Sequence, residues 1–243
     1  MVQIMNKKTI QLDIENLNND FKDKSPQQVL EWALEKFHPK IALASSFGAE
    51  DIVLIDMIKK INPNARIFTL ETGRLHKETY DLMDKVKTQF GNLEVYYPDT
   101  VELEDMVRKH GVNLFYNSVE ERKLCCRVRK IGSLNRALSN LDAWITGLRQ
   151  DQAASRNDTP KVEVDSAHRG IIKINPIIDK TSEDIWKYIR ENNLPYNALH
   201  DSGFPSIGCA PCTRAIKPEE DARAGRWWWE PRDQSECGLH VKS

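Results

Sequence analysis

No stretch of this chain stays apolar for the roughly 18 residues that a membrane-spanning helix needs, so no membrane association is expected. There is no excess of charge of either sign either: 35 Lys and Arg face 36 Asp and Glu. Without a global field, nucleic acid and anionic lipid surfaces are poor candidate partners. The opening residues, MVQIMNKKTIQLDIENLNND, contain no apolar core of signal-peptide length, and a cytoplasmic location is expected. The chain lacks an internal repeat, a Walker-type Lys-Ser/Thr and a dinucleotide-binding glycine fingerprint. Cysteine is scarce, with five among 243 residues. A chain of this length buries enough surface to fold without disulfides, and a reducing compartment would keep its thiols free. The five are grouped as CC, CAPC and a single residue near the end, a pattern of metal binding or catalysis rather than of a disulfide framework.

What is present is an alternation of strand and helix. SPQQVLEWALEKF has Ser25 as N-cap, Pro26 at the first helical position and Gln28 placed for a capping box. Val29, Leu30, Ala33, Leu34 and Phe37 then mark one helical face. KIALASS, ARIFTLE, LEVYYP, DAWITGL and GIIKINPI read as strands. AEDIVLIDMIKK, LHKETYDLMDKVKTQF, VELEDMVRKH, a stretch from about Ser118 to Leu138, and TSEDIWKYIRENN read as helices. The alternation predicts an α/β fold with a parallel sheet flanked by helices. RQDQAASRNDTPKVEVDSAH reads as a polar loop. From Leu194 onward the periodicity fades, and the expected division is an α/β domain over 1–200 and an irregular C-terminal arm over 201–243. Trp227, Trp228 and Trp229 are consecutive, so they cannot all face the interior of one regular element, and at least one is expected to be exposed.

Two kinds of motif carry chemistry. ALASSFGAED runs from a strand through Ser45, Ser46 and Gly48 into a helix with Glu50 and Asp51 in its first turn. In a parallel sheet this is where a phosphate or adenylate group binds. Thr72, Gly73 and Arg74 end the next strand, and Thr146, Gly147 and Arg149 end another. Two arginines at equivalent strand ends suit a phosphate or sulfate ligand. The second motif is the set Cys125, Cys126, Cys209 and Cys212, four thiols that suit tetrahedral zinc or an iron–sulfur cluster. Adjacent cysteines on a helix point about 100° apart, awkward for one small ion but within reach of two irons of a cubane, which favours [4Fe–4S] over zinc. Arg127, Arg129, Lys130 and Arg214 lie close in sequence and would balance the negative charge of such a cluster.

Taken jointly, SSFGAED, ETGRLHKETY, CCRVRK, WITGLRQDQ, PYNALHDSGFPSIGCAPCTRAI, EDARAGRWWWE and ECGLH, spread from about Ile41 to His240, resemble the assimilatory adenylylsulfate reductases and their phosphoadenylylsulfate-reducing relatives. The CC plus CxxC set is similar to that of the cluster-bearing branch. The resemblance implies an adenine-nucleotide α-hydrolase-like sheet, one [4Fe–4S] cluster on the four cysteines, and a C-terminal arm whose Cys237 is the nucleophile. It also implies that Lys130, Arg223, Arg226 and His240 surround the phosphosulfate, that adenosine 5′-phosphosulfate is the substrate, and that thioredoxin or a similar dithiol protein is the reductant for sulfite destined for cysteine biosynthesis. A homo-oligomer is compatible with it. The chain departs from the family in Glu71, where Asp is frequent, and in Ala153 or Ala154, where Ser is frequent. Three alternatives remain at this stage: the same chemistry on the 3′-phosphorylated substrate, an ATP-using tRNA thiolation enzyme, and an iron–sulfur redox sensor.

Overall fold

The computed structural model describes residues 12–153 and 156–231. Six strands form one sheet: β1 (Ile41–Ser45), β2 (Arg66–Leu70), β3 (Glu94–Tyr96), β4 (Ala143–Ile145), β5 (Val162–Asp165) and β6 (Ile171–Ile174). Their spatial order is β3-β2-β1-β4-β6-β5, parallel throughout except for β5, which runs antiparallel to β6. The helices are α1 (Ile14–Phe21), α2 (Pro26–Phe37), α3 (Ala49–Ile61), α4 (Lys77–Phe90), α5 (Thr100–His110), α6 (Val119–Cys126), α7 (Gly132–Leu138) and α8 (Ser182–Glu191). Among the described residues no helix is long and apolar enough to cross a membrane.

Local signals account for most of this. The capping box of α2 forms as expected: Gln28 N–H donates to Ser25 Oγ at 3.3 Å, and Ser25 N–H donates to Gln28 Oε1 at 2.9 Å. Val29, Leu30, Ala33, Leu34 and Phe37 are all buried, so the predicted face is the one that packs. Strand pleating sends alternate side chains to opposite faces. Ile41 and Leu43 of β1 enter one core with α2, α3 and α8, while Ala42 enters a second core with Leu134, Ala137 and Leu138 of α7.

Two stretches differ from the sequence reading. The supposed polar loop after Arg149 contains β5, whose Val162 pairs with Ile174 and whose Asp165 pairs with Ile171. Val-Glu-Val-Asp is short and half polar because β5 is an edge strand: Val162 is buried and Val164 is exposed. Asn18 of α1 closes that edge, donating to the Val162 carbonyl at 2.8 Å and accepting from its N–H at 3.0 Å. The expected single helix over 118–138 is interrupted by a π-helical turn, Arg127–Ile131, a distortion common beside functional sites.

Strand order reverses at β1, since the chain moves outward through β2 and β3 and then returns to place β4 on the other side of β1. Such a switch point opens a crevice at the carboxyl ends of the two strands. The loops after β1 and β4 both line it.

Candidate active site

A cavity of about 360 Å³ fills this crevice. Ser45, Ser46, Gly48 and Asp51 from the β1–α3 turn line it, as do Thr72, Thr146, Gly147 and Arg149 from neighbouring strand ends. Lys130 from the π-helical turn lines it too, as do Ser206, Ile207, Gly208, Arg223 and Arg226 from the segment after α8. Residues far apart in the sequence thus meet around one space.

The β1–α3 turn is held from within. Ser46 donates to Asp51 Oδ2 twice, through its N–H at 2.6 Å and its hydroxyl at 2.9 Å. Phe47 N–H donates to Ser45 Oγ at 3.1 Å. Phe47 has φ +60 with its ring buried in the core; a left-handed phenylalanine is strained, and burial of the ring offsets the strain. Asp51 is fully buried, and desolvation pushes its carboxyl up to about 6 despite the Ser46 hydrogen bonds that favour ionisation. Gly147 permits this arrangement: a Cβ there would stand 2.5 Å from Asp51 Oδ1. The need for glycine is therefore a close approach to a carboxylate.

Of the two strand-end arginines, Arg149 lines this cavity and Arg74 does not, contrary to the expectation that both face one ligand. Arg149 lines the cavity, but its guanidinium is ion-paired with Glu50 at 3.0 Å and with Asp151 at 2.5 Å. Two carboxylates already take up its charge. Arg74 turns away from the large cavity, donating to Asn113 Oδ1 at 3.2 Å and to the Val112 carbonyl, and lies over the Phe115 ring. Gly73, at φ +70, supplies the left-handed turn that carries the chain past Arg129. Glu71 accepts from the Gly73 N–H within the same turn.

A second, smaller cavity abuts the first. Cys125, Cys126, Cys209 and Cys212 all line it, with Arg74, Arg122, Arg129 and Trp227. Lys130, Cys209 and Arg226 line both cavities, so one wall is shared. Cys209 Sγ lies 3.4 Å from Thr72 Oγ1. All four cysteines are free thiols. Burial raises the Cys125 thiol pKa against the opposing pull of Arg129, and pushes that of Cys212 up to about 12. A cation is what would hold such thiols as thiolates. Two donors in the lining, Arg129 Nε and Trp227 Nε1, are buried without a hydrogen-bond partner. Sulfur acceptors at the centre of this cavity would satisfy both. Among the described residues, no three His, Cys, Asp or Glu side chains converge as one metal ion requires.

Several residues of the site were not singled out in the sequence. Gln152, Arg156, Ser182 and His200 line the large cavity. Arg122, in the charged run EERKLCC, is 1% exposed. It forms a bidentate ion pair with Glu230, whose partner position is 108 residues away. The tryptophans divide as expected: Trp227 is buried and Trp228 is exposed, while Trp229 packs on Tyr116. Cys237 and His240 lie outside the described residues, beyond Pro231.

Comparison with known proteins agrees with this geometry. Residues 40–215 match the phosphoadenosine phosphosulfate reductase domain. An adenosine 5′-phosphosulfate reductase of Burkholderia cepacia is 49% identical over 205 residues, covering 84% of this chain and 82% of that protein. A crystal structure of phosphoadenylyl-sulfate reductase from Candida auris, in complex with phosphate, superposes with a TM-score of 0.73 at 33% identity, over 86% of this chain and all of that one. FMN adenylyltransferase of Candida glabrata, with a TM-score of 0.54 at 14% identity over 88% of this chain and 78% of that one, shares the fold alone. The chain thus belongs to the phosphoadenosine phosphosulfate reductase family.

Proposed function

We propose that this protein reduces adenosine 5′-phosphosulfate to sulfite and AMP with electrons from a thioredoxin-like dithiol, in sulfate assimilation leading to cysteine. The observation that carries this reading is the convergence of Lys130, Arg223 and Arg226 on a cavity that Ser45, Ser46 and Gly48 of the turn at the sheet switch point also line. The turn suits the nucleotide, and the cations suit the phosphosulfate. The nucleophile is Cys237, on the arm that supplies Arg223 and Arg226. Its thiolate attacks the sulfur of the phosphosulfate, an S–S bond forms, the S–O bond to the phosphate breaks, and AMP leaves. Lys130, Arg223 and Arg226 stabilise the charge that develops on the departing phosphate oxygen, and His240 hydrogen-bonds the sulfonate or the phosphate. One thiolate of the dithiol then attacks the Cys237 sulfur and expels sulfite. The second thiol resolves the mixed disulfide, returning Cys237 as a thiol and leaving the partner oxidised by two electrons. Ser45, Ser46, Gly48, Asp51, Thr72, Gly73, Gly147 and Arg149 form or support the nucleotide side.

In this reading Cys125, Cys126, Cys209 and Cys212 hold one [4Fe–4S] cluster. When bound, the cluster supplies a fixed charge distribution beside the shared wall. Lys130 and Arg226, which line that wall, face the substrate cavity on its other side. The protein is read as cytoplasmic, with 201–243 acting as the arm that completes the site.

The test is a single-turnover experiment. Incubation with adenosine 5′-phosphosulfate and no dithiol should release about one AMP per active site, and intact mass should rise by about 80 Da, the mass of SO₃, on Cys237. Reduced thioredoxin should then release sulfite and restore the mass. Cys237→Ser should keep its iron and bind nucleotide but form no adduct. An adduct on another cysteine, or sulfite release at the normal rate by Cys237→Ser, refutes the mechanism. The 3′-phosphorylated substrate run in parallel decides between the two nucleotides.

A further inference from the structure

Arg226 lines both cavities. Its Nη1 donates to Ser206 Oγ at 3.3 Å and to the Ile207 carbonyl at 3.4 Å, both long for such bonds. The group is also packed. Its guanidinium carbon lies 4.7 Å from the centre of the Trp227 ring. On another side the Gly208 backbone is so close that a Cβ there would stand 2.4 Å from Nη2.

The same indole carries a second guanidinium. Arg122 also lies 4.7 Å from the Trp227 ring centre. Two cations against one buried ring repel each other unless one is neutralised. Glu230 does this: its carboxylate accepts from Arg122 Nε at 3.0 Å and from Nη2 at 2.7 Å, with the two side chains 1% and 2% exposed. The turn that brings Glu230 back begins at Trp227 itself, for Glu230 N–H donates to the Trp227 carbonyl at 2.9 Å. Trp227 has φ +45, a left-handed conformation unfavourable for a bulky residue, and its N–H donates to the Cys212 carbonyl at 3.2 Å. A buried ion pair contributes little net stability once desolvation is counted, so fold stability alone is a weak reason for burying two charges and a strained tryptophan in one place.

We propose that Glu230 and Arg122 are positioning residues, which act through Trp227 to hold the Arg226 guanidinium in the wall of the substrate cavity. The inference rests on the reading of that cavity as the phosphosulfate site. Glu230→Gln leaves Arg122 charged beside Arg226 and removes the fork that pins it. Displacement of a charge-stabilising group by about 1 Å can cost around 10²-fold in rate. Glu230→Gln should therefore lower kcat/KM by about 10- to 100-fold, while iron content and cooperative unfolding persist.

The decisive readout is a double-mutant cycle on the holoenzyme. If Glu230 acts through Arg226, Glu230→Gln should add no further loss to Arg226→Ala, in turnover and in the dissociation constant for AMP measured by calorimetry. Additive losses in the cycle, or unchanged kcat/KM in Glu230→Gln beside a deficient Arg226→Ala, overturn the proposal and leave the cavity reading intact. Unchanged kcat/KM in Arg226→Ala overturns both. Glu230→Asp, which keeps the charge but shortens its reach, serves as the second variant and should show the same non-additivity with a smaller loss. Loss of iron or of cooperative unfolding in both Glu230 variants makes the pair structural, which also overturns the proposal.

Discussion

Replacing Gly208 by alanine should disable Arg226 without altering it. The added Cβ would stand 2.4 Å from Arg226 Nη2, 2.6 Å from Cζ and 3.1 Å from Nε. Favourable carbon–heavy-atom contacts lie near 3.5 Å, so the guanidinium must withdraw by about 1 Å. It is the far end of a flexible side chain, so the fold should absorb the change at small cost. The active site should not, because Arg226 lines both cavities at their shared wall. A 1 Å misplacement corresponds to around 10²-fold in kcat/KM, or about 2.7 kcal/mol of transition-state stabilisation. The assay is sulfite release from adenosine 5′-phosphosulfate with thioredoxin, alongside thermal unfolding and iron content. Arg226→Ala should show a comparable loss, and the Gly208→Ala/Arg226→Ala enzyme should be no worse than Arg226→Ala. Wild-type turnover in Gly208→Ala, or losses that add in the double variant, would show that the position of Arg226 does not limit the reaction.

Other outcomes follow from the same geometry. Protein purified without oxygen should be brown and carry about four iron per chain, with Cys209→Ala losing most of it; stoichiometric zinc in fully active protein would contradict the cluster assignment. Asp51, raised by burial from 3.8 to about 6, binds its proton more tightly folded than unfolded. Its contribution to stability is fully present below pH 3.8 and is lost as pH rises through 6, amounting to about 1.4 kcal/mol between pH 5 and pH 8. Urea unfolding should therefore show a pH slope in the wild type that Asp51→Asn flattens, and equal slopes would refute the assignment. Trp228, exposed beside Trp229 and Tyr116, should contribute to docking of the dithiol protein: Trp228→Ala should raise KM for thioredoxin while sparing adduct formation, and an unchanged KM would place docking elsewhere.

Features that depend on near neighbours in the chain are legible in the sequence. The Ser25 capping box, the apolar face from Val29 to Phe37, the β1–α3 turn and the grouping of four cysteines each rest on contacts or spacings within a few residues. The edge strand β5 is hidden because its half-polar alternation is that of a loop until β6 is placed beside it. The equivalence of Arg74 and Arg149 fails for a similar reason. Strand-end position tells where each residue stands, but Glu50 and Asp151 claim one guanidinium while Asn113 and Phe115 take the other.

The sequence by itself determined the alternation of strands and helices, the identity of the chemically able residues and, through its motifs, the family. Only the tertiary structure decided which of those residues share a cavity, that Lys130, Cys209 and Arg226 form a wall between two cavities, and that Arg122 is buried against Glu230. The physical reason is range. Hydrogen-bonding propensity and hydrophobic period act over a turn or a strand, whereas ion pairs and packed rings are settled by which distant segments the sheet order brings together, and those pairings leave no periodic trace in the chain.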